Sequence, residues 1–201
     1  MPAKVLPLLL CILVSVHGFP RQRRCVNQDT DELKIISREQ WHARPPASHT
    51  PLVTPAPLVI IHHSYYPGAC NTTEQCADAM RHMQDMHQID NQWVDIGYNF
   101  GVGGDGLVYE GRGWHAVGAH AAGYNTNSIG IVLIGDWVSS LPPANQMNTV
   151  RKLIQTGIEL GYISPDYTLI GHRQVSATEC PGQALFDEIQ TWDKFEKNFK
   201  L

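Results

Sequence analysis

The sequence predicts an α/β fold in which a central parallel or mixed β-sheet is flanked by helices. Short continuous apolar runs bounded by turn residues alternate with segments whose apolar residues recur at helical spacing. Two histidines, His62 and His172, stand where predicted strands stop, and in such sheets chemistry collects at strand ends.

The elements follow in chain order. Lys4, the apolar stretch 5–16 and the small residue Gly18 make residues 1–18 a signal peptide. That stretch is shorter than the ~20 apolar residues needed to span a bilayer. Residues 19–34 are polar and irregular, a linker or short pro-segment, and the folded domain is expected over 35–201. Within the linker, Arg21-Gln22-Arg23-Arg24 is either a dibasic processing site or a solvated basic stretch. Ser37-Arg38-Glu39-Gln40 has the S-x-x-Q form of a capping box and predicts a short helical turn before Trp41. Residues 45–57 are proline-rich connection.

Residues 58–63 form a continuous apolar run, the pattern of a strand buried on both faces. Residues 73–88 read as a helix, with Cys76, Met80, Met83 and His87 at helical spacing. Segments 98–103 and 107–110 flank Gly104-Asp105-Gly106, a hairpin signal, because Asp-Gly supplies positive φ angles. Residues 129–134 are a second buried strand. Residues 146–160 form an amphipathic helix with Met147, Val150, Ile154 and Ile158 on one face. Residues 168–170 make a short strand leading to His172, and 183–192 a final helix.

The 201 residues are 43% hydrophobic and 17% charged, which suits one ordinary globular domain and excludes a disordered chain. A net charge of −4 gives no reason to expect nucleic acid as a partner. No second apolar stretch is long enough for a membrane span, so the mature protein is expected to be secreted and extracellular.

The five cysteines divide by context. Cys11 falls in the leader. Cys70 and Cys76 are close together, and a secreted setting permits a disulfide closing that short loop. Asn71-Thr72-Thr73 is a glycosylation sequon inside the loop, which makes Asn71 a candidate acceptor. Cys25 is left over, whether free, intermolecular or removed by processing.

Cys180 joins His62 and His172 as a candidate zinc site of two histidines and one cysteine. The spacing from His172 to Cys180 is not that of a zinc finger, so the fold itself must assemble the site. Three protein ligands leave a fourth position for water, which distinguishes a catalytic zinc from a closed structural one. Zinc there would lower the pKa of water toward neutrality for attack on an amide carbonyl. A Cys25–Cys180 disulfide is the competing use of Cys180, but it leaves the two histidines unexplained. Tyr98 is a candidate to stabilise the oxyanion or help the proton move, and equally suits an aromatic position in a buried strand.

Seven motifs then occur in order: Ile60-Ile61-His62-His63-Ser64, Asp95-Ile96-Gly97-Tyr98-Asn99-Phe100, Gly103-Gly104-Asp105-Gly106, Tyr109-Glu110-Gly111-Arg112-Gly113-Trp114, Gly118-Ala119-His120, Ile129-Gly130-Ile131, and Gly171-His172-Arg173 with Thr178-Glu179-Cys180-Pro181-Gly182. On these the chain resembles the peptidoglycan recognition proteins, which share the zinc amidase fold of the phage lysozyme-amidases. The resemblance covers nearly all of the expected mature chain. Residues 132–137, 141–143 and 171–175 look most like the insect amidase branch that damps immune signalling.

The resemblance implies a zinc N-acetylmuramoyl-L-alanine amidase acting in innate immunity on bacterial peptidoglycan and muropeptides. It would cut between the muramic lactyl group and L-Ala. His62, His172 and Cys180 match the metal ligands. Tyr98 matches the tyrosine that assists the attacking water, and Thr178 the polar residue that is lysine in related phage enzymes. Non-catalytic members commonly lack the cysteine, which this chain keeps; the alternative function is a non-catalytic peptidoglycan-binding module. A zinc peptidase is disfavoured by the lack of an H-E-x-x-H helix. His63, His87, Gln92, Trp93 and His120 match positions of the substrate groove. Gly-Trp at positions 92–93 goes with a diaminopimelate stem. Trp93 fits that type, whereas Gln92 departs from it, as does Asn91 where an arginine often grips the extra carboxylate.

Overall fold

The computed structural model describes residues 33–199. The expected signal peptide, nearly all of the linker, Arg21 to Arg24, Cys11 and Cys25 lie outside the described residues. Among those described, the strands are β1 (Ile35–Ile36), β2 (Ala56–His63), β3 (Phe100–Val102), β4 (Val108–Glu110), β5 (Ser128–Leu133) and β6 (Ile163–Gly171). The α-helices are α1 (Thr73–Asp85), α2 (Ala144–Glu159) and α3 (Gln183–Ile189). The strands form one sheet in the order β1-β4-β3-β5-β2-β6. Only β3 and β4 pair antiparallel, so the sheet is mixed.

Strand β2 lies between β5 and β6, and its apolar run explains that place. A strand covered on both faces needs apolar residues at successive positions, and Leu58 through Ile61 are all buried. Alternation of side chains sends Val59 and Ile61 to one face. There they pack with Ile129, Ile131 and Leu133 of β5, Val150, Leu153 and Ile154 of α2, and Leu185 and Ile189 of α3. Val132, on the other side of β5, packs with Cys76, Met80 and Met83 of α1.

Helix α1 is capped by Thr72, whose hydroxyl accepts from the Gln75 N–H at 3.3 Å. A Cys70–Cys76 disulfide ties the entry loop to its first turn, and Asn71 is exposed in that loop. The capping-box bonds predicted for Ser37 and Gln40 are present reciprocally, at 2.8 and 3.3 Å, on a turn that delivers the fully buried Trp41.

The structure departs from the sequence expectations in several places. The hairpin spans three loop residues, closed by a Gly103 N–H to Leu107 carbonyl bond. Only Gly106 has a positive φ, 80°, which is a glycine bulge and not a two-residue turn with two left-handed residues. The α-helical part of segment 73–88 stops at Asp85, and Met86–Asp90 widens into a π-helical turn. Strand β6 begins five residues earlier than expected, at Ile163, and α3 stops at Ile189. The two-residue edge strand β1 had too little pattern to be read. In α2 the buried stripe runs through Thr149, Val150, Leu153 and Ile154, while Met147 and Ile158 flank it, only partly buried.

That rotation of the α2 face is testable. Leu153→Ala should cost about 2–5 kcal/mol by denaturant unfolding, and Met147→Ala about 1 kcal/mol or less. Equal losses would place the buried stripe where the sequence periodicity alone puts it.

Candidate active site

The parallel pairing of β2 with β6 builds the site. In that register Ile61 lies opposite Gly171, so the residues that follow, His62 and His172, emerge side by side at the same end of the sheet. Their ring centroids are 4.4 Å apart. His62 still pairs with Val132 of β5 and is buried. His172 opens a 3-10 turn, His172–Gln174, and is partly exposed.

The loop after that turn folds back and supplies Cys180. The Arg173 N–H donates to the Cys180 carbonyl at 2.9 Å, and the Gly182 N–H to the Glu179 carbonyl at 2.8 Å. Sγ of Cys180 lies 3.6 Å from Nδ1 of His62 and accepts from the His63 N–H at 3.4 Å. One donor atom from each of His62, His172 and Cys180 falls within 4.8 Å of the others. The sequence-predicted triad is therefore assembled, and Cys180 is a free thiol.

The electrostatics suit a soft divalent cation. Burial lowers the His62 pKa well below the ordinary imidazole value, and His120, His172 and His63 lower it further. Burial also lowers His172. Both imidazoles are thus neutral at pH 7, with lone pairs available. Burial pushes the Cys180 thiol up to about 12, against opposing contributions from the His63 N–H and the Arg173 guanidinium. A bound cation would displace that proton. Two neutral imidazole nitrogens and one sulfur fit zinc in kind and number.

His172 and Cys180 border an open cavity of about 390 Å³, lined also by His63, Ser64, Tyr65, Tyr98, Val138, Thr178 and Glu179, and the buried His62 lies behind them. The Tyr98 ring stands 5.2 Å from that of His62. Burial, and secondarily the neighbouring Cys180, raise its pKa, so its hydroxyl keeps its proton. Thr178 is exposed, and its Oγ1 accepts from the Cys180 N–H at 3.2 Å. Sequence reasoning did not single out Ser64, Tyr65, Val138 or Glu179, of which Ser64 and Glu179 lie inside the quoted motifs and Tyr65 and Val138 directly follow family-like segments.

Of the expected groove positions, His63 projects to the opposite sheet face from His62, and its Nδ1 accepts from the Trp137 N–H at 3.3 Å. His87 stacks on Trp93, with centroids 4.7 Å apart and planes 11° from parallel, and meets Tyr98 edge-on at 5.8 Å. Its Nδ1 accepts from the Gly97 N–H at 3.0 Å, which leaves Nε2–H free as a donor. Gln92 is exposed and sits at φ 56°, a left-handed conformation that glycine adopts without strain. His120 differs from the expectation. It is buried, is absent from the cavity wall, and places Nδ1 3.0 Å from Nε2 of His62.

The N-acetylmuramoyl-L-alanine amidase family model matches residues 53–183. The chain is 48% identical to peptidoglycan-recognition protein LB of Drosophila melanogaster over 186 residues, 92% of this chain and 80% of that protein. It is 47% identical to a mouse N-acetylmuramoyl-L-alanine amidase over 80% of this chain but only 31% of that longer protein. Among solved structures, a mutant of Drosophila PGRP-LB in complex with tracheal cytotoxin superposes with a TM-score of 0.80 at 52% identity. That match covers 81% of this chain and 96% of the other.

His87 provides a pH test. Burial, with a further contribution from Arg112 and against that of Asp95, lowers its pKa to about 4. The unfolded chain takes up this proton near 6.5, so the stability His87 contributes is present above that pH and is lost as pH falls toward 4. NMR titration should place the His87 midpoint near 4, and a midpoint near 6.5 would contradict the stacked, desolvated ring.

Proposed function

The chain belongs to the peptidoglycan recognition protein family, and from that premise we propose that it is a secreted, zinc-dependent N-acetylmuramoyl-L-alanine amidase of innate immunity. It binds bacterial peptidoglycan and muropeptides and hydrolyses the lactyl–L-Ala amide. The observation that carries this proposal is the convergence of His62, His172 and Cys180, the last two on the wall of an open cavity that also holds Tyr98 and Thr178.

The three residues would hold the metal. When bound, zinc supplies Lewis acidity that activates water and polarises the scissile carbonyl. The chain's own groups do the rest. Tyr98, which keeps its proton, donates a hydrogen bond to the oxygen on which negative charge develops. The Thr178 hydroxyl accepts from the Cys180 N–H, which leaves its own proton available for donation. Hydrolysis adds hydroxide to the lactyl carbonyl carbon, breaks the C–N bond and returns a proton to the L-Ala nitrogen. The stacked His87 and Trp93 and the neighbouring Gln92 form the wall on which the stem peptide lies, with the His87 Nε2–H as a donor.

A diaminopimelate stem is favoured. Relatives have been solved with tracheal cytotoxin, one of them as monomeric diaminopimelic acid-type peptidoglycan. Gln92 adopts a left-handed backbone that glycine takes without strain, so the loop here would accommodate the Gly-Trp pair of the diaminopimelate type. Likeness to the insect branch points to scavenging of fragments and damping of immune signalling. In a secreted chain, Asn71 would be the glycan acceptor.

The decisive assay incubates the mature protein and zinc with a diaminopimelate muramyl-tetrapeptide and follows products by mass spectrometry. Free tetrapeptide, lost on adding a chelator, is expected. Intact but bound ligand would favour the non-catalytic binding module. Cys180→Ser should lose both zinc and turnover. Tyr98→Phe should keep zinc while kcat falls about 10²–10³-fold; unchanged turnover would remove the oxyanion role.

A further inference from the structure

His120 carries a well-defined geometry that the proposed reaction does not use. Its ring lies in a slot between Gly118 and Gly130, and a Cβ on either glycine would overlap the ring. The slot is held from behind. Asn99 accepts from the Gly130 N–H at 2.9 Å and donates to the carbonyls of Gly113 and Ala116 at 2.8 and 3.0 Å. The His120 backbone is pinned as well, since its N–H and that of Ala121 both donate to Oδ1 of Asn125, at 2.9 and 2.8 Å.

The hydrogen bonds from this ring run in one direction only. A backbone carbonyl accepts and never donates, so the Ser128 hydroxyl commits its proton to the Tyr124 carbonyl at 2.7 Å. Toward Nε2 of His120, 3.5 Å away, Ser128 then has only lone pairs. Nε2 of His120 is therefore the ring nitrogen that faces an acceptor, which favours the tautomer with the proton on Nε2 and Nδ1 bare. In that tautomer Nδ1, which faces Nε2 of His62 at 3.0 Å, accepts from His62. A neutral His62 with its proton on Nε2 has its lone pair on Nδ1, the atom 3.6 Å from Cys180 Sγ.

We propose that His120 is a positioning residue: the chain Tyr124 carbonyl–Ser128–His120 sets the tautomer and ring orientation of His62 so that Nδ1 is presented to the metal. The metal part of this proposal rests on the zinc reading above; the tautomer part does not. Partners of this kind on the far side of a ligating histidine typically change metal affinity 10–100-fold.

The test uses the mature protein, with zinc alone as the probe. In metal-free wild type, long-range 15N NMR should show His62 protonated on Nε2. Zinc affinity, by chelator competition, should fall about 10–100-fold in His120→Ala. It should be largely restored in His120→Gln, whose carbonyl can accept from His62. Ser128→Ala keeps the ring in its slot, so it guards against a folding defect; it should yield a mixture of His62 tautomers. Wild-type His62 protonated on Nδ1 would overturn the proposal whatever zinc does, as would wild-type tautomer and affinity in a folded His120→Ala. Wild type that binds no zinc, yet carries the Nε2 proton, would overturn the zinc reading and leave the positioning role standing.

Discussion

The register between β2 and β6 is the constraint on which the site depends. Parallel strands connected by a long crossover have no turn to set their alignment; burial sets it instead, because a slip of one residue would turn every side chain to the wrong face. Strand β2 is buried almost throughout, so such a slip is prohibitively costly. With Ile61 opposite Gly171, the two histidines come level without either being chosen by a local loop. The geometry of the candidate metal site is thus set by apolar packing tens of residues away in sequence.

The same alternation divides the adjacent histidines. His62 points to the sheet face that holds Tyr98 and His120, with ring contacts of 5.2 and 5.0 Å. His63 points the other way and is held by the Trp137 N–H. One contributes a side chain to the candidate metal site. The other contributes its backbone N–H, which bonds the Cys180 sulfur. Two chemically identical neighbours acquire different work from a period of two.

Burial also sets the protonation states of the candidate site. Desolvation lowers the pKa of the imidazoles and raises that of the Cys180 thiol and the Tyr98 phenol. The site therefore holds neutral donors, with a protonated phenol beside them. Its opening to solvent is on the side of Thr178 and Glu179, both exposed. The polar groups under the floor are satisfied by a hydrogen-bonded chain that ends on a backbone carbonyl, where no proton has to be shared.

The sequence by itself determined the fold class, the buried strands β2 and β5, the three helices, and the residue types that meet at the candidate metal site. Each rests on a local signal: continuous apolar runs, helical spacing, or an unusual clustering of ligand residues at strand ends. The tertiary structure alone decided the two-residue β1, the three-residue hairpin loop, the face of α2 that is buried, and the place of His120. These depend on which surfaces meet, and no local window contains that information. His120 shows why most directly. Its motif Gly118-Ala119-His120 was legible, but its direction is set by Gly130, which lies in a strand beside it, and by Ser128 at that strand's start. A histidine in a groove and a histidine beneath a metal ligand have the same sequence signature; packing alone distinguishes them, because only packing settles which ring nitrogen faces which partner.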